Sequence, residues 1–276
     1  MKIFITGSTG FVGKNLVEYY TKRGHEVYAY RREEFLHECL HKFAPDAIIN
    51  SAAEIYDPEK MFEPNILMVQ TILEYVRECE QYCQLIQIGS SSEYGPTGFA
   101  SDEETLLKPV DFYQGTKGAA TLMCQGWARF FNLPIWIVRP YSVYGPHERE
   151  HRLFPRLYKA FTKNEPMTLY QGYHDFIYIN DFVRGIDMVL QEWDLEHGEI
   201  VNFGSGIQTS NFELHDLWVK ITGNDTAPVA KIAELKKAFE HDAWVCDIAK
   251  SFKLGFECEY DLETGIRDFL LKANYD

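Results

Sequence analysis

The sequence predicts an α/β protein: a mostly parallel β-sheet packed between helices, followed by a smaller C-terminal lobe. Three observations carry that expectation. Apolar runs alternate with helix-period stretches from the first residues to about residue 146, the pattern of successive βαβ units. Glycines at positions 7, 10 and 13 join the first apolar run to the first helical pattern. From His147 onward the regularity loosens, and Pro155, Pro166 and several glycines interrupt it.

Lys2–Thr6 reads as the first strand, and residues 12–23 as a helix closed by Gly24. A short second strand covers 26–30. A third, Ala47–Asn50, follows the turn signal Pro45-Asp46. Apolar residues at helical spacing predict one long helix over 59–79, with a buried strand at 85–89 after it. A second long helix spans 113–131, ends near Asn132-Leu133-Pro134, and leads into a strand at 135–139. Segments 176–179 and 199–203 are expected to return to the main sheet. The expected organisation is therefore a main domain of residues 1–146, rejoined by 176–206, and a smaller lobe built mainly from 147–276.

A chain of 276 residues, 46% of them hydrophobic, can bury a large core. Its formal net charge of -14 argues against nucleic acid or a membrane surface as partner, because both need basic patches. An anionic small molecule responds to a local field and is not excluded. The six cysteines (Cys39, Cys79, Cys83, Cys124, Cys246, Cys258) form no CxxC pair and no Cys/His zinc pattern. Free thiols in a reducing compartment are expected, and no metal site. Met1-Lys2-Ile3-Phe4-Ile5 runs straight into the glycine loop, leaving no room for a signal sequence, and no apolar run is long enough for a bilayer. The expectation is a soluble, cytoplasmic protein.

The loop itself is Thr6-Gly7-Ser8-Thr9-Gly10-Phe11-Val12-Gly13. Between a strand and a helix, the first glycine allows a tight turn and the second lets backbone approach a pyrophosphate. The third permits close helix–strand packing, with the phosphate facing the helix N-terminus. This predicts a nicotinamide dinucleotide held by Gly7, Thr9, Gly10, Phe11, Val12 and Gly13 on a Rossmann-type doubly wound parallel sheet. The choice of dinucleotide is read about 20 residues further on. A carboxylate there would accept from the ribose 2′-hydroxyl of NAD(H). Here Val27-Tyr28-Ala29-Tyr30 is followed by Arg31-Arg32, whose guanidinium groups can bind a 2′-phosphate. NADP(H) is the expected cofactor, with NAD(H) as the alternative.

Tyr113-Gln114-Gly115-Thr116-Lys117 places a tyrosine and a lysine at i and i+4 on one helix face. A nearby ammonium favours the phenolate, so such a tyrosine can exchange a proton while hydride moves to or from a nicotinamide. Upstream stands Ile88-Gly89-Ser90-Ser91-Ser92-Glu93-Tyr94-Gly95, read as a strand end carrying hydroxyls. Further motifs accompany these: Asp46-Ala47-Ile48-Ile49-Asn50-Ser51-Ala52-Ala53, Asn65, and Val138-Arg139-Pro140-Tyr141-Ser142-Val143-Tyr144-Gly145-Pro146. Asp175-Phe176-Ile177-Tyr178-Ile179 and Val201-Asn202-Phe203-Gly204-Ser205-Gly206 complete the set. Over nearly its whole length the chain resembles the extended short-chain dehydrogenase/reductase family, in its nucleotide-sugar epimerase, dehydratase and reductase branch.

The resemblance implies Tyr113 as acid/base and Lys117 as the group that holds the nicotinamide ribose and tunes Tyr113. It implies Ser90, four residues before Tyr94, as the third catalytic residue, with Ser91 and Ser92 beside it on the substrate side. Ala52, Ala53 and Asn65 would lie with the cofactor, and Tyr141 near the nicotinamide. The substrate would be a sugar or nucleotide sugar bound by the C-terminal lobe. A homodimer would form through the helices over 59–79 and 113–131, whose apolar residues include Ile66, Leu67, Val69, Ile72, Leu73, Leu122, Met123 and Trp127; a core face would carry the same residues.

Three departures from the family pattern shape the functional expectation. Dehydratases of this branch carry an acidic residue directly after the catalytic Ser/Thr; here Glu93 is displaced, which on a strand would turn it to the other face. Substrate-side positions that usually hold asparagine and arginine are Ser142 and His174, so either Arg152, with Arg149 and Arg156, is the candidate diphosphate contact, or the substrate carries no diphosphate. His147, His151 and His174 are further candidate acids. Finally, the chain runs from Arg32 to Pro45 through a single amphipathic stretch, where longer relatives insert another strand and helix. The leading expectation is an NADPH-dependent reductase of a keto group on a sugar or nucleotide sugar. The alternatives are an epimerase that retains NAD(P), a dehydratase, and a non-catalytic NADP-binding regulator.

Overall fold

Ile3, Phe4 and Ile5 are fully buried, which is why a continuous apolar run rather than an alternating one makes the central strand β1 (Lys2–Thr6). The computed structural model describes residues 1–191, 195–235 and 243–275. After β1 come α1 (Phe11–Lys22), β2 (Glu26–Ala29), α2 (Leu36–Phe43), β3 (Ala47–Asn50), α3 (Met68–Glu78), β4 (Gln84–Ile88), α4 (Phe112–Phe131) and β5 (Ile135–Pro140). The chain continues with β6 (Ser142–Tyr144), α5 (Leu153–Lys163), β7 (Met167–Gln171), β8 (Tyr173–Tyr178), α6 (Ile179–Gln191) and β9 (Ile200–Phe203). Last are β10 (Gln208–Ser210), α7 (Asn211–Thr222), β11 (Val229–Leu235), α8 (Ala249–Lys253) and α9 (Leu262–Lys272).

Two compact units result. The first comprises Met1–Gly95, Glu103–Pro140 and Val183–Asn202. Its sheet has the order β2-β1-β3-β4-β5-β9, with β1 parallel to both β2 and β3, and β4 parallel to both β3 and β5. The fold is α/β and Rossmann-like. Strand order reverses at β1: β2 lies to one side, whereas β3, β4 and β5 continue on the other. Ligands of such sheets bind beyond the carboxyl ends of the strands at that reversal. The register pairs Thr6 with Asn50, so the loops after β1 and β3 leave the sheet side by side. One face is packed by Val69, Ile72 and Leu73 of α3 with Ala120, Cys124 and Ala128 of α4, against Phe4, Ile48, Leu85 and Ile137.

The second unit comprises Pro96–Asp102, Tyr141–Phe182 and the described residues from Phe203 on. It holds a three-stranded sheet, β10-β8-β6, and the pair β11-β7. An aromatic core fills it: Tyr144 stacks on Phe154 at 4.0 Å, and Phe154 meets Phe269 edge-on at 6.0 Å. Gly265 makes this possible, since a Cβ there would lie 1.9 Å from the Tyr144 hydroxyl.

Two expected elements differ. The stretch 59–79 is not one uniform helix: a 3-10 turn over Pro58–Lys60 and a π-helical stretch over Glu63–Leu67 precede α3. Pro64 has no N–H to give to a regular ladder, and the wider turn accommodates it. Segment 199–203 does return to the main sheet, as β9, but 176–179 does not. The edge beside β5 is taken by β9, and β8 pairs instead with β6 (Tyr144 with Tyr178) and β10. Residues 141–146, expected with the main domain, belong to the second unit for the same reason. Among the described residues no helix is long and apolar enough to cross a membrane.

The core assignment separates residues that looked alike in sequence. Leu73→Ala, in the packed face of α3, should cost about 2–5 kcal/mol. Leu122→Ala, on α4 with its side chain exposed, should stay within about 0.5 kcal/mol. Urea denaturation midpoints measure both.

Candidate active site

The glycine loop is built as its spacing requires. Gly7 has φ +63°, and a Cβ there would lie 2.7 Å from the backbone of Ser51 and Ala52. Gly13 is closer still, since its Cβ would sit 2.1 Å from the Gly7 carbonyl oxygen. Gly10 meets only that same oxygen, at a tight 3.2 Å, with nothing else within 4 Å of the place its side chain would fill. Gly10 is also the N-cap of α1 and offers no side-chain acceptor, leaving the first-turn N–H groups of Phe11 and Val12 without a capping oxygen. An uncapped helix start at a glycine that brings no side chain suits a pyrophosphate, so the residues present fit a dinucleotide. Thr9 is exposed on the loop.

Beneath the loop runs a buried polar ladder that sequence reasoning missed. Thr6 Oγ1 donates to Asn50 Oδ1 (2.5 Å), and Asn50 Nδ2 donates to Gln87 Oε1 (2.7 Å), linking the ends of β1, β3 and β4. Ser51 Oγ donates to the Thr6 carbonyl, and Ala52 N–H to Thr6 Oγ1. Ala52 and Ala53 are half-buried here. Asn65 spends its amide on protein: it accepts from Glu54 N–H and donates to the Glu54 carbonyl and to Thr116 Oγ1. It thereby ties the loop after β3 to the helix of Tyr113 and Lys117.

The arginine pair lies at the end of β2 among carboxylates. Arg32 forms an exposed ion pair with Glu63. The Arg31 N–H donates to Glu34 Oε2 (2.9 Å), and Glu34 also accepts from the Tyr28 hydroxyl (2.7 Å). Those two hydrogen bonds hold the Glu34 carboxyl below its ordinary value.

Asp111 caps α4 by accepting from Gln114 N–H (2.8 Å). One turn in, Tyr113 is half-buried and Lys117 is 4% exposed. Burial pushes the Lys117 ammonium's pKa down, and the Glu93 charge opposes that. Lys117 Nζ donates to the Ile88 carbonyl (2.5 Å), a bond that uses one of its three protons. The segment after β4 is not a strand end. Ser91–Tyr94 forms a 3-10 turn with Ser90 as N-cap, so the alternation that would have turned Glu93 away does not apply. Ser90 and Ser92 meet hydroxyl to hydroxyl at 2.5 Å, whereas Ser91 is buried.

Glu93 is fully buried and committed. Its Oε1 accepts from Ser90 N–H (2.7 Å), and its Oε2 accepts from Thr121 Oγ1 (2.8 Å) and Arg139 Nε (2.9 Å). Arg139 reaches on to the Tyr94 hydroxyl, which donates to Asn202. The spacing Ser90-x-x-Glu93 is that of a capping box, a signal the sequence did contain.

The remaining candidates lie in the second unit. Ser142 Oγ and His174 Nδ1 are 3.1 Å apart on the paired strands β6 and β8. Tyr141 is buried and directs its hydroxyl to the Ser101 carbonyl (3.3 Å). Next to His174, Asp175 accepts from Ser205 N–H and Oγ, Gly206 N–H and Cys246 N–H, an anchor that sequence reasoning also missed. Arg152 precedes α5, half-exposed, with Nε 3.5 Å from Glu148 Oε1. Burial pushes the Glu148 carboxyl up to about 8 against the opposing pull of Arg152. Its Oε2 accepts no hydrogen bond among the described residues.

A reversed parallel sheet with an uncapped glycine-loop helix defines a dinucleotide-binding enzyme of the Rossmann type. Residues 3–204 match the NAD dependent epimerase/dehydratase family, and the chain belongs to it. It is 28% identical to the uncharacterized UDP-glucose epimerase YtcB of Bacillus subtilis, over 98% of this chain and 96% of the relative. The UDP-glucuronic acid 4-epimerase of Bacillus cereus, solved with UDP-glucuronic acid and NAD, superposes with a TM-score of 0.85 at 24% identity, covering 99% and 98% of the two chains. The dTDP-glucose 4,6-dehydratase of Bacillus anthracis, solved with NAD, gives 0.85 at 21% identity, covering 98% and 96%.

Three measurements test this geometry. Gly13→Ala should prevent stable folding, whereas Gly10→Ala should lower the thermal melt far less and abolish dinucleotide binding in calorimetry. Arg139→Met strands a buried carboxylate and should cost about 3–5 kcal/mol; adding Glu93→Gln should restore part of it in urea melts. Between the ordinary 4.5 and about 8, folded Glu148 holds a proton that the unfolded chain has released. Its stabilising contribution is therefore full below 4.5 and is lost as pH rises through about 8. Glu148→Gln should flatten that part of the stability–pH curve.

Proposed function

We propose that this chain is a nucleotide-sugar epimerase that retains NAD(H) and inverts one carbinol centre by oxidation and re-reduction. The observation that carries the choice of cofactor is the ion pair of Arg32 with Glu63. A 2′-phosphate there would have to displace a carboxylate and face Glu33 and Glu34 as well. The uncharged 2′-hydroxyl of NAD(H) meets no such repulsion. The NAD-bound relatives support the same reading.

Bound at Gly7, Gly10 and the start of α1, the dinucleotide supplies the acceptor and donor of hydride. The chain's own groups handle the proton. Tyr113 Oη takes the proton of the sugar hydroxyl as the carbon is oxidised, and returns it when the turned keto sugar is reduced. The Ser90 hydroxyl, braced by Ser92, hydrogen-bonds the same sugar oxygen. Buried Lys117 offers its two remaining protons to the nicotinamide ribose and Tyr113. Glu93 is held by Arg139, Thr121 and Ser90 N–H, which leaves no free acid there to eliminate water and favours epimerisation over dehydration. Ser142, His174 and Arg152 are the proposed substrate contacts. A second copy of the chain is the proposed partner, through the exposed Leu67 and Phe112.

The second reading is an NADPH-dependent reductase, favoured by the tandem Arg31-Arg32. Purified protein should carry NAD(H) through gel filtration and interconvert a nucleotide-sugar pair, seen by proton NMR, with no cofactor added. Tyr113→Phe should lower kcat about 10²–10⁴-fold. Turnover only with stoichiometric NADPH consumption, lost in Arg31→Asp, would establish the reductase instead.

A further inference from the structure

Helix α2 carries two histidines that nothing in the redox site uses. His37 and His41 stand at i and i+4, exposed, with their Nε2 atoms 3.1 Å apart and their ring centroids 4.3 Å apart. Such spacing puts two side chains on one helix face. Imidazole nitrogens bind zinc at about 2.0–2.1 Å. Two nitrogens 3.1 Å apart at that bond length subtend about 98° at a shared ion. That angle lies between the right angle of an octahedral site and the wider tetrahedral one, so the two nitrogens already have a chelating separation.

One of the two rings is also held from outside the pair. His41 rests edge-on against Tyr75 of α3, with centroids 5.1 Å apart. Leu40, between the two histidines, is fully buried in the core. The turn is closed by Ala44 N–H donating to the Leu40 carbonyl (2.8 Å). The backbone between the two rings and the His41 ring are thus already ordered, which lowers the usual cost of assembling a surface chelate.

We propose that His37 and His41 form an exposed two-imidazole chelate for a divalent first-row transition ion, with water completing its coordination. Among the described residues no group of three or more His, Cys, Asp or Glu is placed to hold a metal. The site is therefore a two-ligand clamp, weaker than a structural zinc centre, and copper(II) should bind more tightly than nickel or zinc. In the neutral pair without metal, one Nε2–H donates to the other nitrogen. In the chelate each ring carries its proton on Nδ1, so the exchange is a change of tautomer without net proton release.

The test is titration of the metal-stripped full chain with nickel(II) by calorimetry, beside His37→Ala, His41→Ala and the neighbouring control Glu38→Gln. One saturable site is expected, weakened at least tenfold by either histidine substitution and unchanged in the control. In proton NMR, substoichiometric nickel should broaden the imidazole signals of His37 and His41 before those of other histidines. Absence of saturable binding, equal affinity in the histidine variants, or broadening that starts elsewhere would overturn the proposal. None of these readouts depends on turnover, so they stand or fall separately from the epimerase reading.

Discussion

The buried carboxylate of Glu93 is the constraint on which this architecture turns. It is reached at once by the Ser90 amide after β4, by Thr121 of α4 and by Arg139 of β5. Away from water, an ion pair is tolerated only when its remaining hydrogen-bonding capacity is met, and here three separate elements meet it. Removing any of them leaves a charge or a donor unsatisfied. The candidate serine, the helix of the candidate tyrosine and lysine, and the fifth strand are thus held in one geometry. Gly89 belongs to the same arrangement, since a Cβ there would lie 2.7 Å from the carboxylate. A residue that at first resembles a displaced catalytic acid is instead the anchor of the segment that carries the candidate serine.

The other half of the nucleotide-binding unit is governed by close approach and charge. Backbone meets backbone where the loops after β1 and β3 leave the sheet, which glycine at position 7 allows, and where α1 meets the first of these loops, which glycine at position 13 allows. The start of α1 then presents unsatisfied N–H groups and the positive end of its dipole to whatever lies above Gly10. At the neighbouring edge, β2 ends the sheet, with no further strand outside it among the described residues. The local field there is mixed, since Arg31 and Arg32 sit among Glu33, Glu34 and Glu63. Two positive charges in the sequence become, in space, one ion pair and one arginine beside carboxylates.

Much of this was legible in sequence because it is local. Strand–glycine loop–helix at residues 2–22, the i and i+4 placement of Tyr113 and Lys117, and the paired motifs of the family depend on backbone sterics and helical period. These act within a few residues and need no knowledge of the rest. The capping box Ser90-x-x-Glu93 is equally local, but it directly follows an apolar run whose strand pattern masks it.

What only the tertiary structure decided involves partners far apart in the chain. Arg32 meets Glu63 31 residues on, and Glu93 meets Arg139 at a separation of 46. The β8 segment joins β6 rather than the main sheet, since the edge beside β5 is already occupied by β9. The sequence by itself determined that a dinucleotide-binding α/β unit forms and which helix bears the tyrosine and lysine. Only the fold decided which charges are spent on one another and which remain for a ligand, because an ion's availability depends on its distance to every other charge, and sequence order carries no such distances.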